Sequence, residues 1–257
     1  MTRHLRLVLL CLLLPLTACV SSQSTPEFPG DKYSLSRASD DNVALAMQYL
    51  KMGNRNAAME KVQKAIDQNP DNANAYTAEA LIYSADGDAG KAKDAYKKAM
   101  RKAPDDPEVL NDYAAFLCQN GNPKEALDYF MQAANNPRYS TPDAAYTNAG
   151  LCAELVPDAA QAEQYFRKAL MLNPNLPEPM AQLAQIAYSQ KKYLTARAFI
   201  ERFGELVPTS RPDVLLLGIN NERALGNQQG AADYAKQLLK NFPASQQAQQ
   251  LDQVPRG

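Results

Sequence analysis

The sequence predicts an all-α solenoid of stacked helix–turn–helix units. Three observations carry that prediction. They are a period of about 34 residues, small and aromatic side chains at helical spacing within each period, and Gly or Pro at fixed offsets. The period is plainest from Ala73 to Asp106, ANAYTAEALIYSADGDAGKAKDAYKKAMRKAPDD. With Ala73 as position 1, Tyr76, Ala80 and Tyr83 fall at 4, 8 and 11, and Ala92, Tyr96 and Ala99 at 20, 24 and 27. Each trio lies on one face of its helix. Alanine at 8 and 20 lets the two helices approach closely, and aromatic rings at 11 and 24 fill the space beside them. Gly87 suits the left-handed turn between the helices, and Pro104 stops the second helix.

The same frame slides along the chain as six copies: 39–72, 73–106, 107–142, 143–176, 177–210 and 211–245. The first holds Ala46, Tyr49, Gly53, Ala58, Val62, Ala65 and Pro70 in register. The third holds Tyr113, Ala114, Leu117, Gly121, Ala126, Phe130 and Ala133, and two extra residues follow in NNPRYSTPD. The fourth runs through Gly150, Ala153, Ala162, Phe166, Ala169 and Pro174, and the fifth through Ala184, Ala187, Ala196, Ile200, Phe203 and Pro208. The sixth gains one residue near Gly226 and continues through Ala231, Ala235, Leu238 and Pro243. This is the tetratricopeptide pattern. The resemblance implies a right-handed superhelix whose concave face is lined by the first helices, chiefly at positions 2, 5, 9 and 12. Residues 246–257 close the chain, and the Gln-rich run Ala244 to Gln253 reads as a polar capping helix.

The front of the chain has a different composition. Met1 to Ala18 combines Arg3 and Arg6 with an apolar core from Leu7 to Leu14, which reads as a secretory signal peptide. It ends Leu16-Thr17-Ala18-Cys19, which resembles a bacterial lipobox, with Cys19 as the acylated new N-terminus. An ordinary signal peptide followed by a cysteine is the alternative. By the lipoprotein resemblance, several acyl chains anchor Cys19 stably where one would not. Val20 stands where Asp would signal inner-membrane retention, so the expected location is the periplasmic face of the outer membrane. Residues 19–38 are polar, with Pro26, Pro29 and Gly30, and read as a flexible tether.

Composition excludes several functions. The chain carries 27 Lys and Arg against 28 Asp and Glu. Loss of Arg3 and Arg6 leaves 25 basic residues, a net charge near −3, and this gives no support for nucleic-acid binding. His4 is the single histidine and leaves with the signal peptide, so the remaining chain has no imidazole for a general base or a metal. There is no Gly-rich phosphate loop and no G-x-S-x-G. Asp94, Glu125 and Asp128 fall on helix faces among lysines and read as solvated. The expectation is a binding protein with no catalytic residue, metal, cofactor or small-molecule substrate.

Of four cysteines, Cys118 and Cys152 remain once Cys11 is removed and Cys19 is acylated. They occupy positions 12 and 10 of the first helices of neighbouring repeats. In an oxidising periplasm such a pair can close a disulfide across the two-residue insertion, or persist as two small buried thiols.

Positions 2, 5, 9 and 12 also locate a candidate partner face. The tetratricopeptide proteins that grip peptide carboxylates use Lys at 5 and Asn at 9. Here position 5 holds Val43, Thr77, Asn111, Thr147 and Ala181, so that clamp is absent. Instead Val43, Met47, Leu50, Thr77 and Leu81 form an expected apolar groove on the first two repeats, suited to an amphipathic helix or an extended segment. The alternative is that these residues are core, covered by the tether or a cap.

Signal peptide, lipobox, tether and six repeats together resemble the type IV pilus biogenesis and stability lipoproteins, the PilW/PilF family. The resemblance spans essentially the whole chain. Its most specific part is the NNPRY and PDAAYTNAGLC run between and including the two repeat cysteines. It implies a pilotin that binds the pilus secretin, with other pilus assembly proteins as further expected partners, and helps the secretin reach the outer membrane and multimerise. A general outer-membrane adaptor for cell-wall hydrolases or barrel assembly is the second reading that the repeats allow.

Overall fold

The computed structural model describes residues 29–156 and 159–252. The signal peptide and Cys19 lie outside the described residues. Among those described, thirteen helices follow one another with no strand. The first repeat is built from α1 (Pro29–Lys51) and α2 (Arg55–Gln68), and the second from α3 (Ala73–Ala85) and α4 (Ala89–Lys102). The third uses α5 (Pro107–Gln119) and α6 (Pro123–Ala134), and the fourth α7 (Pro142–Ala153) and α8 (Ala159–Leu172). Then come α9 (Pro177–Ser189) with α10 (Tyr193–Leu206), α11 (Pro212–Ala224) with α12 (Gln228–Asn241), and a last helix α13 (Gln246–Asp252).

Local chemistry sets these boundaries. Asn54, Asn72, Asp88, Asp106 and Asn227 each cap a helix by accepting a hydrogen bond from a backbone N–H of its first turn. Proline opens α5, α6, α7, α9 and α11, where its missing N–H costs nothing. The turn inside a repeat needs one residue in the left-handed region. Gly53, Gly87, Gly121 and Gly226 supply it at φ between 75° and 79°, whereas the fifth repeat uses Lys191 at φ 61°.

Among the described residues the core falls into six hydrophobic clusters, and each repeat packs on the next. Its largest cluster joins repeats two to four through Ala80, Tyr96, Tyr113, Leu117, Phe130 and Phe166. The loop between α6 and α7 is longer than its counterparts but well anchored. Tyr139 inserts beside Leu110, Ala133 and Ala145, and the Asn136 amide donates to the Asp105 carbonyl at 2.9 Å. At the far end α13 lays Ala248 against Leu215, Ile219 and Leu238.

Two expectations need correction. Residues 29–38, assigned to the tether, are the first turns of α1. The Asn69 amide, just past α2, is directed at the Ser36 hydroxyl at 3.5 Å, and immediately after this segment the Ser39 hydroxyl donates to the Ala65 carbonyl of α2 at 2.8 Å. The extra residue of the sixth repeat sits between α10 and α11, not near Gly226. Val214, Leu215, Gly218 and Ile219 repeat the buried pattern of Val109, Leu110, Tyr113 and Ala114 when Pro212, not Arg211, opens the repeat. Gly226 then returns to the turn position.

Candidate partner-binding face

The first helices α1, α3, α5, α7, α9 and α11 run side by side, and positions 5 and 9 lie toward the seams between them. The two positions have different fates. At position 5, Thr77, Asn111 and Ala181 are buried, and Val43 and Thr147 are half-buried. At position 9, Met47 and Gln185 are exposed, and Leu81, Ala115 and Leu151 are half-exposed. Met47, Leu81, Ala115 and Leu151 therefore form an apolar row along successive helices, bordered by exposed Asp40, Asn74 and Glu108 at position 2.

The expected groove is narrowed accordingly. Val43 and Leu50 pack against Ala46, Ala58, Val62, Ala78 and Ile82, so each is partly core. Leu81 leans on the neighbouring core cluster and keeps an open side. Thr77 is only 7% exposed, and its hydroxyl has no hydrogen-bond partner. It closes the seam of α3 with its neighbours and lines no open surface. Met47, at 37%, is the most accessible of the five.

Cys118 and Cys152 meet. They are bonded in the structure, with Cα atoms 5.8 Å apart, inside the usual disulfide range. The offset between positions 12 and 10 is absorbed where α5 and α7 lie side by side.

Several polar groups on these helices were not foreseen. The Asn148 amide donates to the Asn111 side-chain carbonyl across α5 and α7 at 3.1 Å. Beside it, burial pushes the Asp112 carboxyl up to about 6. The Asn111 amide opposes that shift, and Glu108 and Asp106 add to it. In the last two repeats Arg197 of α10 clasps Glu222 of α11 through two hydrogen bonds of 2.7 and 2.5 Å, and the Asn227 amide joins them at 2.6 Å. The Arg197 hydrogen bonds hold the Glu222 carboxyl below its ordinary range against the opposing effect of burial. Glu222 stands where other repeats place Leu117 or Ala187. The signal that could have found it is a carboxylate at a core register position. Among the described residues, no group of His, Cys, Asp and Glu is arranged to hold a metal, and no helix is long and apolar enough to cross a membrane. What these first helices offer is a shallow apolar row with polar margins, chemistry for binding a polypeptide.

Comparison with known proteins agrees with this architecture. Models of the tetratricopeptide repeat match residues 43–107, 83–141, 144–176 and 214–245. The chain is 30% identical over 236 residues to the type IV pilus assembly protein PilF of Pseudomonas aeruginosa strain PAO1, covering 92% of this chain and 93% of that one. The chain belongs to the PilF/PilW family of tetratricopeptide proteins. Two solved members superpose on it closely. PilW, described as a widely conserved type IV pilus biogenesis factor, does so with TM-score 0.74 and 31% identity over 83% of this chain and 97% of its own. PilF of Pseudomonas aeruginosa gives 0.77 and 28% over 85% and 98%. The fold extends further, since the APC/C hetero-tetramer Cut9–Hcn1 matches with TM-score 0.65 and 19% identity over 86% of this chain and 45% of that one, a likeness of architecture alone.

Proposed function

We propose that this protein is a pilotin. It is an outer-membrane lipoprotein, anchored through Cys19, that binds the type IV pilus secretin and promotes its localisation and multimerisation. The observation that carries the reading is the near end-to-end similarity to PilF, 92% of one chain against 93% of the other. Local chemistry supports it. The Met47–Leu81–Ala115–Leu151 row is open, apolar and edged by polar side chains, as a groove for a secretin segment requires. The protein works by binding, and no bond is made or broken. Fixing the scaffold at the membrane raises the local concentration of a captured segment, so modest affinity suffices.

Deletion of the gene in its host, followed by blotting for the heat-stable secretin multimer, tests the reading. The multimer should vanish from the outer membrane while monomer persists, and pilus assembly and twitching should stop. Met47→Glu and Leu81→Glu should reproduce the defect with the helical content intact. An unchanged multimer would refute the reading and favour a general envelope adaptor, for which altered cell shape is the expected sign.

A further inference from the structure

A second surface lies on the side of the second helices, away from the apolar row. Helix α4 carries six cations, Lys91, Lys93, Lys97, Lys98, Arg101 and Lys102, against one carboxylate, Asp94, in a chain whose net charge is −1. The six divide into two rows. Lys91, Lys98 and Lys102 are at i, i+7 and i+11 on one face, and each is engaged. Lys91 pairs with Asp88 at 2.8 Å, Lys98 with Glu79 at 3.5 Å and Lys102 with Asp71 at 2.7 Å. Lys93, Lys97 and Arg101 are at i, i+4 and i+8 on another face. They are exposed, and among the described residues none has a carboxylate within ion-pair distance.

That unpaired row is one wall of a cleft of about 450 Å³ between α4, α5 and α6. Its apolar lining is Met100, Tyr113 and Tyr129, with the two tyrosine rings edge to face at 5.2 Å, and Glu125 stands on the facing wall. Three like charges kept together on one helix face repel one another, and among the described residues Glu125 is the one carboxylate lining the cleft to offset them. Their geometry has a natural complement. Residues four apart on a helix rise about 6 Å, so the row spans roughly 12 Å. Alternate residues of an extended strand are roughly 6.6 Å apart on one side. An extended segment with acids at every second position would therefore set one carboxylate against each cation. Its intervening side chains would face Tyr129 and Met100.

We infer that the α4–α6 cleft is a docking site for an extended acidic segment of another protein, with carboxylates alternating with aliphatic or aromatic residues. It is separate from the apolar row and does not depend on the pilotin reading. The recessed aromatic floor favours a peptide over a flat anionic membrane, which would reach the lysines but not the rings. Arginine and lysine at the rim attract such a segment, and insertion beside the tyrosines fixes its register.

The test is fluorescence anisotropy of a labelled nonapeptide alternating Glu with Leu and Phe, titrated with the purified full chain in detergent at low salt. A peptide with Lys in place of Glu is the first control. The expected result is saturable binding of the acidic peptide alone. Affinity should fall at least tenfold in Lys93→Glu/Lys97→Glu/Arg101→Glu, at least threefold in Tyr129→Ala, and several-fold between low and physiological salt. The surface pair Lys236→Glu/Lys240→Glu on α12 should bind as the parent does, which separates the local row from overall charge. Two results would overturn the inference. One is equal binding by the triple variant. The other is absence of saturable binding by the acidic peptide; protection of Lys93 and Lys97 from acetylation in phosphatidylglycerol vesicles but not in phosphatidylcholine vesicles would then assign the row to the membrane.

Discussion

Gly150→Ala sets intrinsic helix propensity against packing, and the two predict opposite signs. Gly150 lies inside α7 at position 8, where four other repeats hold Ala46, Ala80, Ala114 and Ala184. By propensity and by pattern, alanine there should gain about 1 kcal/mol. The fourth repeat differs in its partner. A Cβ on Gly150 would stand 2.5, 2.6 and 2.8 Å from three ring carbons of Phe166, well inside the ordinary separation of about 3.5–4 Å. Phe166 is 0% exposed and packed among Ala149, Ala162 and Leu183, so the ring can yield only by displacing its neighbours. Overpacking of this kind costs about 1–3 kcal/mol. Contacts as short as 2.5 Å to a fully buried ring place the cost in the upper part of that range, about 2–3 kcal/mol, so a propensity gain of about 1 kcal/mol leaves a net loss of about 1–2 kcal/mol. For a chain of this size that lowers Tm by roughly 3–6 °C. Thermal unfolding followed by circular dichroism reads it directly. In Gly150→Ala/Phe166→Leu the ring is gone and the added methyl has space, so the double variant should be more stable than the sum of its parts by about 1 kcal/mol. A higher Tm for Gly150→Ala alone would show that the close helix approach is not set by this ring.

Three further outcomes follow from the same structure. Denatured, unreduced protein should show no free thiol from Cys118 or Cys152, and Cys118→Ser/Cys152→Ser should cost up to about 4 kcal/mol, the loop-closure entropy of a 34-residue separation; two titratable thiols would refute the bridge. The Asp112 carboxyl is raised from 3.8 to about 6 by burial, so the folded chain binds its proton more tightly than the unfolded one and stability falls as pH rises through that window; Asp112→Asn should exceed the parent by about 1–3 kcal/mol at pH 7.5 and match it at pH 4 in urea titrations. Lys191 holds a left-handed turn position that glycine fills in four other repeats, so Lys191→Gly should stabilise by roughly 0.5 kcal/mol, read as a raised urea midpoint, because relief of the backbone strain exceeds the added freedom of the unfolded chain.

The register was readable because close helix packing imposes it. Alanine at 8 and 20 and a ring or branched side chain at 24 are demanded wherever two helices touch at short range, so Ala80, Ala92 and Tyr96 announce the fold. Features decided by contacts across repeats were not readable in the same way. Residues 29–38 have no strong helical period, yet α1 extends through them, with Asn69 of the first repeat reaching Ser36 on its side. The surplus residue of the sixth repeat left Gly226 one place out of frame, but its true location before Pro212 emerges only from which side chains of α11 are buried. Thr77 and Met47 looked alike as members of one lane. Whether such a residue is seam or surface depends on the neighbouring helix: Thr77 of α3 is buried, whereas Met47 of α1, the first helix of the stack, is exposed. Glu222 was invisible as a partner of Arg197 because the pair joins different repeats.

The second repeat occupies a special place in this arrangement. Its first helix carries Leu81 of the apolar row, and its second carries the unpaired cations Lys93, Lys97 and Arg101. The hairpin α3–α4 thus contributes to both surfaces, and its two helices are locked by Ala80, Ala92 and Tyr96 in one cluster. Helices packed through small residues approach to roughly 8–10 Å between axes, so occupants of the two surfaces would be held within a few nanometres of each other. In a solenoid each repeat contacts only its neighbours, and one face shifts against the other only by opening a seam. The α5–α7 seam is crosslinked by Cys118 and Cys152, and the α6–α7 loop is pinned by Tyr139. The cleft is thereby braced from its downstream side, while the apolar row begins at the uncrosslinked first repeat. The charged cleft of repeats two and three thus lies beside the crosslinked seam, and the apolar row runs from Met47 in the uncrosslinked first repeat to Leu151 in the crosslinked fourth.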